Sequence, residues 1–189
     1  MFIGGFEHTP NVDGVLWFVE HVLPSVARSI PDVVLHVVGS KAPEEIRRLD
    51  SRHVKVAGFV PDVDPVFDAA RVFVSPLRYG AGMKGKIGQA MCAGLPVVTT
   101  SVGSEGMLLV DRQNAMVTDD PAAFAAAVVE VYRDPELWTR LSRSGRRHVE
   151  AHFSAAAVRP RLASLFPIAT ASGGAWSAAR RSTAPGEEA

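Results

Sequence analysis

The chain has 189 residues, an apolar fraction of 47% and twenty basic residues against twenty acidic ones. That length buries one substantial core, so a single compact domain is expected over residues 1–166. The cancelled charge excludes a long-range field that would attract nucleic acid, and no run of Lys or Arg reads as a membrane patch. The only cysteine, Cys92, excludes an internal disulfide and is read as a buried structural thiol.

Taken in chain order, Phe2-Ile3 reads as a strand with no leader ahead of it, as at a domain border, and truncation is the expectation. Nothing marks the chain for export or for spanning a bilayer, which places it in the cytoplasm by default. A first helix is predicted from about Asp13 to Ile30, with Val15, Phe18, Val19, Val22 and Leu23 on its apolar face and Pro24 at a kink. Runs rich in β-branched residues then recur at Val33–Val38, Val54–Val56, Val72–Val74 and Pro96–Thr100, with helical spacing between them. That alternation predicts an α/β fold, a Rossmann-like open parallel sheet with helices on both faces. Two or three helices follow between Pro121 and His152, with a break at Gly145, and cover the sheet edge. Residues 167–189, rich in Ala, Ser, Gly and Arg, are read as a disordered tail.

In an open parallel sheet a ligand sits beyond the C-terminal strand ends, so the loops there carry the functional reading. The densest is Pro76-Leu77-Arg78-Tyr79-Gly80-Ala81-Gly82-Met83-Lys84-Gly85-Lys86, which follows a strand and opens a helix. Glycines let backbone N–H groups approach phosphate oxygens, the helix N-terminus adds favourable partial charge, and Arg78, Lys84 and Lys86 add formal charge. Gly80 to Gly85 matches the dinucleotide fingerprint, with Glu105 about twenty residues further on, but two βα units precede it. Gly80 to Lys86 also matches a phosphate-binding loop up to its lysine, but Ile87 stands where a magnesium-binding hydroxyl is needed.

A third reading uses more of the chain. Gly4-Gly5-Phe6, Pro10-Asn11-Val12-Asp13-Gly14, Val37-Val38-Gly39, Gly58-Phe59-Val60-Pro61-Asp62, the loop just described, Ala93-Gly94-Leu95-Pro96 and Gly103-Ser104-Glu105-Gly106 occur in one order. This succession resembles the C-terminal, donor-binding domain of glycosyltransferase family 4, the group 1 glycosyltransferases of GT-B fold, over about Phe2 to Ser154. The resemblance implies transfer of a hexosyl unit from a nucleoside diphosphate sugar to a hydroxyl acceptor, with retention and without a metal or other cofactor. It implies that Gly4 and Gly5 contact the donor pyrophosphate, and that Gly58, Phe59 and Val60 frame the nucleobase. Arg78, Gly80, Gly82, Met83, Lys84 and Lys86 belong to the phosphate loop, with Lys86 stabilising the leaving group. The family's two glutamates, seven residues apart, are replaced by Ala81 and Gln89; Gln89 can still bond ribose hydroxyls through its amide. Glu105 is a further donor contact.

The resemblance also implies a partner, an N-terminal acceptor-binding domain supplied in cis or in trans. A membrane-bound acceptor is not readable from these residues. The alternatives are a non-catalytic nucleotide-sugar-binding or interaction module that pairs with a separate acceptor subunit, and a sugar epimerase, for which the acidic and histidine groups are lacking. Asp62-Val63-Asp64 is read as helix capping rather than a metal site, and His148 and His152 as a solvated helix face without a third ligand. His8 is read as a surface histidine near the phosphate loop.

Overall fold

The computed structural model describes residues 1–165, so the expected tail at 167–189 lies outside the described residues. Six strands form the sheet: β1 (Phe2–Ile3), β2 (Leu35–Val38), β3 (Val54–Gly58), β4 (Phe73–Ser75), β5 (Val97–Thr99) and β6 (Met116–Val117). β1, β2 and β3 pair in parallel, with Phe2 opposite Val37 and Leu35 opposite Val54, and so do β4, β5 and β6, with Phe73 opposite Val97. Two bonds join the halves: the Met1 α-amino group donates to the Val72 carbonyl (2.7 Å), and Val74 N–H donates to the Met1 carbonyl (2.9 Å). Donor and acceptor flank Phe73 as in a parallel pair, which makes the spatial order β3-β2-β1-β4-β5-β6. The strand order reverses between β1 and β4, and in such sheets that switch point opens a crevice at the C-terminal strand ends.

Both faces of the sheet are covered, because alternate strand residues point to opposite sides. Phe2, Val37, Val74 and Val98 pack with Phe18, Val22, Val26, Phe124 and Val128 in one core. Ile3, Val38, Phe73 and Val97 pack with Phe67, Ile87, Met91 and Met107 in the other. The ring of Phe124 sits edge-on to Trp17 and to Phe18, each at 5.8 Å between centroids. Such contacts add specificity to apolar burial.

The helices are α1 (Thr9–Trp17), α2 (Leu23–Ser29), α3 (Glu44–Arg47), α4 (Asp64–Ala69), α5 (Gly85–Cys92), α6 (Ser101–Ser104), α7 (Pro121–Arg133), α8 (Pro135–Phe153) and α9 (Ala155–Leu165). The first helical stretch starts at Thr9, earlier than expected, with Pro10 in its first turn. It is interrupted by a π turn over Phe18–Val22, where Leu23 N–H reaches back to the Phe18 carbonyl. Pro24 has no N–H to offer the preceding turn, and this wider turn accommodates it without a sharp break. Asp120 and Asp134 start α7 and α8 by accepting from backbone N–H groups (2.8–2.9 Å) ahead of Pro121 and Pro135.

Three expectations are corrected. Gly145 does not break a helix; α8 runs through it, and a Cβ there would lie 3.3 Å from Met91 Cγ, so the glycine lets α8 pack closely on α5. Cys92 is exposed at the end of α5 rather than buried, since α5 turns its buried side through Ile87, Ala90 and Met91. His148 and His152 are not a solvated face. His148 is half-buried, with Nε2–H donating to the Met107 carbonyl (2.7 Å) and Nδ1 accepting from the Asn114 amide (3.1 Å), while the His152 ring lies 4.8 Å away. No helix among the described residues is long and apolar enough to cross a membrane.

Candidate functional site

The crevice at the β1/β4 switch point is a cleft of about 560 Å³. The loop after β1 supplies Gly4, Gly5, Glu7 and His8, and α1 supplies Pro10 and Asn11. The loop after β4 supplies Leu77, Tyr79, Gly80, Ala81, Met83 and Lys84, and α5 begins with Gly85, Lys86 and Ile87 on the same wall. Close packing sets this geometry: a Cβ on Gly14 would lie 2.7 Å from the Pro76 carbonyl, so only glycine lets α1 lean against the end of β4. On the other side of that loop, Thr100 Oγ1 donates to the Leu77 carbonyl and Thr99 Oγ1 to the Ser75 carbonyl (3.0 Å).

The cleft offers hydrogen-bond donors that the fold does not use. Gly80 and Gly82 have φ of +123° and +83°, which a side chain would oppose; Gly80 lines the cleft, whereas Gly82 sits in the same turn without lining it. Among the described residues, no backbone N–H from Gly80 through Lys84 donates to a protein acceptor; the ladder resumes at Gly85 N–H to Met83 O (3.1 Å) and Ile87 N–H to Lys84 O (2.9 Å). Across the cleft Asn11 Nδ2 donates to the Gly5 carbonyl (2.7 Å) and pins the turn beside Gly4.

Charge is distributed unevenly around this site. Arg78 does not line the cleft: its guanidinium is paired with Asp13 on α1 through both carboxylate oxygens, which raises its pKa. Glu7 is paired with Lys41, whose ammonium lowers the carboxyl pKa. Lys84 and Lys86, by contrast, enter no ion pair among the described residues. Lys84 Nζ donates to the Gly82 carbonyl (2.8 Å) and Lys86 Nζ to Gln89 Oε1 (3.0 Å), both neutral acceptors. Two uncompensated cations and a row of free amides form a surface for a doubly charged anion.

The remaining residues singled out in the sequence fall around this cleft rather than in it. Gly58 ends β3 with φ +67° and accepts from Gly39 N–H (2.8 Å), and Phe59 beyond it is 71% exposed, with Val60 following. Gln89 is one turn below Lys86 and exposed. Glu105 ends α6, also exposed, and its neighbour Gly106 lies against Met83, so this loop borders the cleft rim. Asp62 accepts from Asp64 N–H (3.1 Å) at the start of α4. Sequence reasoning quoted Asn11 and Asp13 within one motif without assigning them a role and passed over Lys41, since pairings across 34 and 65 residues leave no local signal.

Comparison with known proteins agrees with this fold. The chain is 27% identical over 163 residues to the putative glycosyltransferase YtcC of Bacillus subtilis, covering 77% of this chain and 40% of that protein. Its fold superimposes on TarM of S. aureus, solved in complex with UDP, with a TM-score of 0.73 at 17% identity, covering 87% of this chain and 34% of that one. It also superimposes on the C-terminal domain of the group 1 family protein LpcC from Francisella tularensis, with a TM-score of 0.66 at 16% identity, covering 82% and 84% of the two chains. The chain spans less than half the length of the curated relatives it matches. Residues 1–134 match the family model described as glycosyl transferases group 1, and the chain belongs to that family.

Proposed function

We propose that this domain binds the nucleoside diphosphate sugar of a hexosyltransferase and stabilises the departing diphosphate. The observation that carries this reading is the set of unpartnered amides from Gly80 to Lys84 beside the unpaired ammonium groups of Lys84 and Lys86. In the transfer, the bond from the anomeric carbon to the β-phosphate oxygen breaks while the acceptor hydroxyl oxygen bonds to that carbon, and the hydroxyl proton leaves on the diphosphate. Negative charge grows on the β-phosphate as the bond breaks, so donors already aimed there lower the barrier without reorganisation. Transfer with retention suits departure and attack on one face of the sugar. No cofactor is assigned.

The nucleobase is placed toward Gly58, Phe59 and Val60, the ribose toward Gln89, and the sugar toward the rim at Met83 and Glu105. Gln89 would serve a ribose hydroxyl with its N–H while its oxygen holds Lys86. The acceptor site is assigned to a second domain, in cis or in trans, facing this open cleft; relatives about twice this length support that division. The exposed thiol of Cys92 suits the cytoplasm. Calorimetry with UDP, GDP and ADP tests the reading. Binding of at least one, weakened by Lys86→Ala, is expected; no binding by any of the three defeats it.

A further inference from the structure

The cancelled net charge conceals a segregation that the sequence totals do not reveal. Residues 1–134 carry twelve basic and sixteen acidic side chains, whereas residues 135–165, which form α8 and α9, carry six basic and two acidic ones. All six cations are arginines: Arg140, Arg143, Arg146, Arg147, Arg159 and Arg161. Among the described residues none of the six enters an ion pair. Sequence totals had argued against any membrane patch, because the arginines are interrupted along the chain and become neighbours only once α8 is wound.

At 3.6 residues per turn, Arg140, Arg143 and Arg147 fall within about 60° of one another along about 10 Å of helix. They line a shallow groove of about 590 Å³ with Pro135, Glu136 and Thr139, opposite the side of α8 that buries Leu137, Leu141, Gly145 and Val149. Arg140 is held in place by donating to the Arg112 carbonyl (2.7 Å), while Arg143 and Arg147 donate to no protein group among the described residues. The next helix, α9, carries the exposed Arg159 and Arg161 together with Leu162 and Leu165, which are 51% and 71% exposed. A cluster of guanidinium groups suits the anionic headgroups of a bilayer, and exposed leucines on the adjoining helix suit its apolar boundary. The groove has no aromatic side chain on which a nucleic-acid base could stack.

We infer that the α8–α9 face is a docking surface for an anionic lipid bilayer. Its position leaves the donor cleft open. Trp138 Nε1–H donates to the Arg71 carbonyl, at the N-terminal end of β4 (2.7 Å), and His148 reaches Met107, behind the cleft (2.7 Å), so α8 runs along the flank of the sheet. The surface uses none of the groups assigned to the donor.

Co-sedimentation of the full chain with vesicles tests this. At low salt the chain binds vesicles of equal parts phosphatidylcholine and phosphatidylglycerol, ignores phosphatidylcholine alone, and is released by high salt. Combined Arg140→Gln, Arg143→Gln and Arg147→Gln lowers partitioning about a hundredfold with an unchanged melting curve, and Arg143→Gln alone lowers it about fivefold. The corresponding lysine variants retain binding within a few-fold. Absence of sedimentation, equal binding by the triple variant and wild type, or preference for a single-stranded oligonucleotide over the vesicles overturns the inference.

Discussion

The two ends of the same sheet use their polar groups in opposite ways. At the N-terminal strand ends, around a cavity of about 210 Å³, polar groups are engaged by the fold itself. The Met1 amine donates to Val72, Arg71 Nε–H donates to the Tyr132 carbonyl (2.6 Å), and the Arg71 guanidinium stands over Tyr132 and Trp138 at 5.4 and 5.8 Å. At the C-terminal ends the amides of Gly80 to Lys84 and the ammonium groups of Lys84 and Lys86 have no charged or strand partner. The contrast supports the proposed donor site at the C-terminal strand ends: polar groups that stabilise a fold are satisfied within it, whereas those that bind a ligand are held ready for it.

The contrast is broken most forcefully by pH. Burial lowers the Met1 amine to about 5 from its ordinary 8.0. Between those values the unfolded chain takes up a proton that the folded chain refuses, so stability falls as pH drops from 8 toward 5, by up to about 1.4 kcal/mol per pH unit. Urea unfolding across that window measures the slope, and adding one residue ahead of Met1 should flatten it, because a peptide N–H donates without titrating. A slope unchanged by the extension would locate the effect elsewhere. Arg71→Ala should cost about 1–2 kcal/mol through the lost cation–π and hydrogen-bond contacts, with nucleotide affinity unaltered.

Lys86→Ala should do the reverse. Its melting temperature is expected to stay near that of the parent, while the affinity for a nucleoside diphosphate falls roughly tenfold or more. A lowered melting temperature with unaltered affinity would show that Lys86 belongs to the structural class of Arg71. The smallest expected effect is that of Gln89→Glu. A carboxylate 3.0 Å from Lys86 Nζ would form an ion pair and withdraw positive charge from the cleft, weakening binding by less than tenfold and most at low salt. Tighter binding instead would show that ribose hydroxyls, not the lysine, govern this position.

Much of the architecture was legible because local chemistry announces it. Val-rich runs mark β2, β3, β4 and β5, and Asp120-Pro121 and Asp134-Pro135 carry the caps of α7 and α8 in adjacent residues. β6 was missed, since Met116-Val117 is too short for a periodic pattern and is held by pairing with β5. The helix through Gly145 was missed for a related reason: the glycine packs against Met91 on another helix, a neighbour no local window contains.

The same division separates the residues of the cleft. Residue order alone determined the parallel α/β design and the location of the glycine-rich turn with its lysines, because strand period, helix period and backbone permissiveness are properties of short segments. Only the tertiary structure decided which cations are available. Arg78 and Lys84 look equivalent in sequence, yet Asp13, brought from 65 residues away, neutralises the first and leaves the second unopposed. Charge acts through space, and the distance between two charges is set by the folded chain rather than by their separation along it.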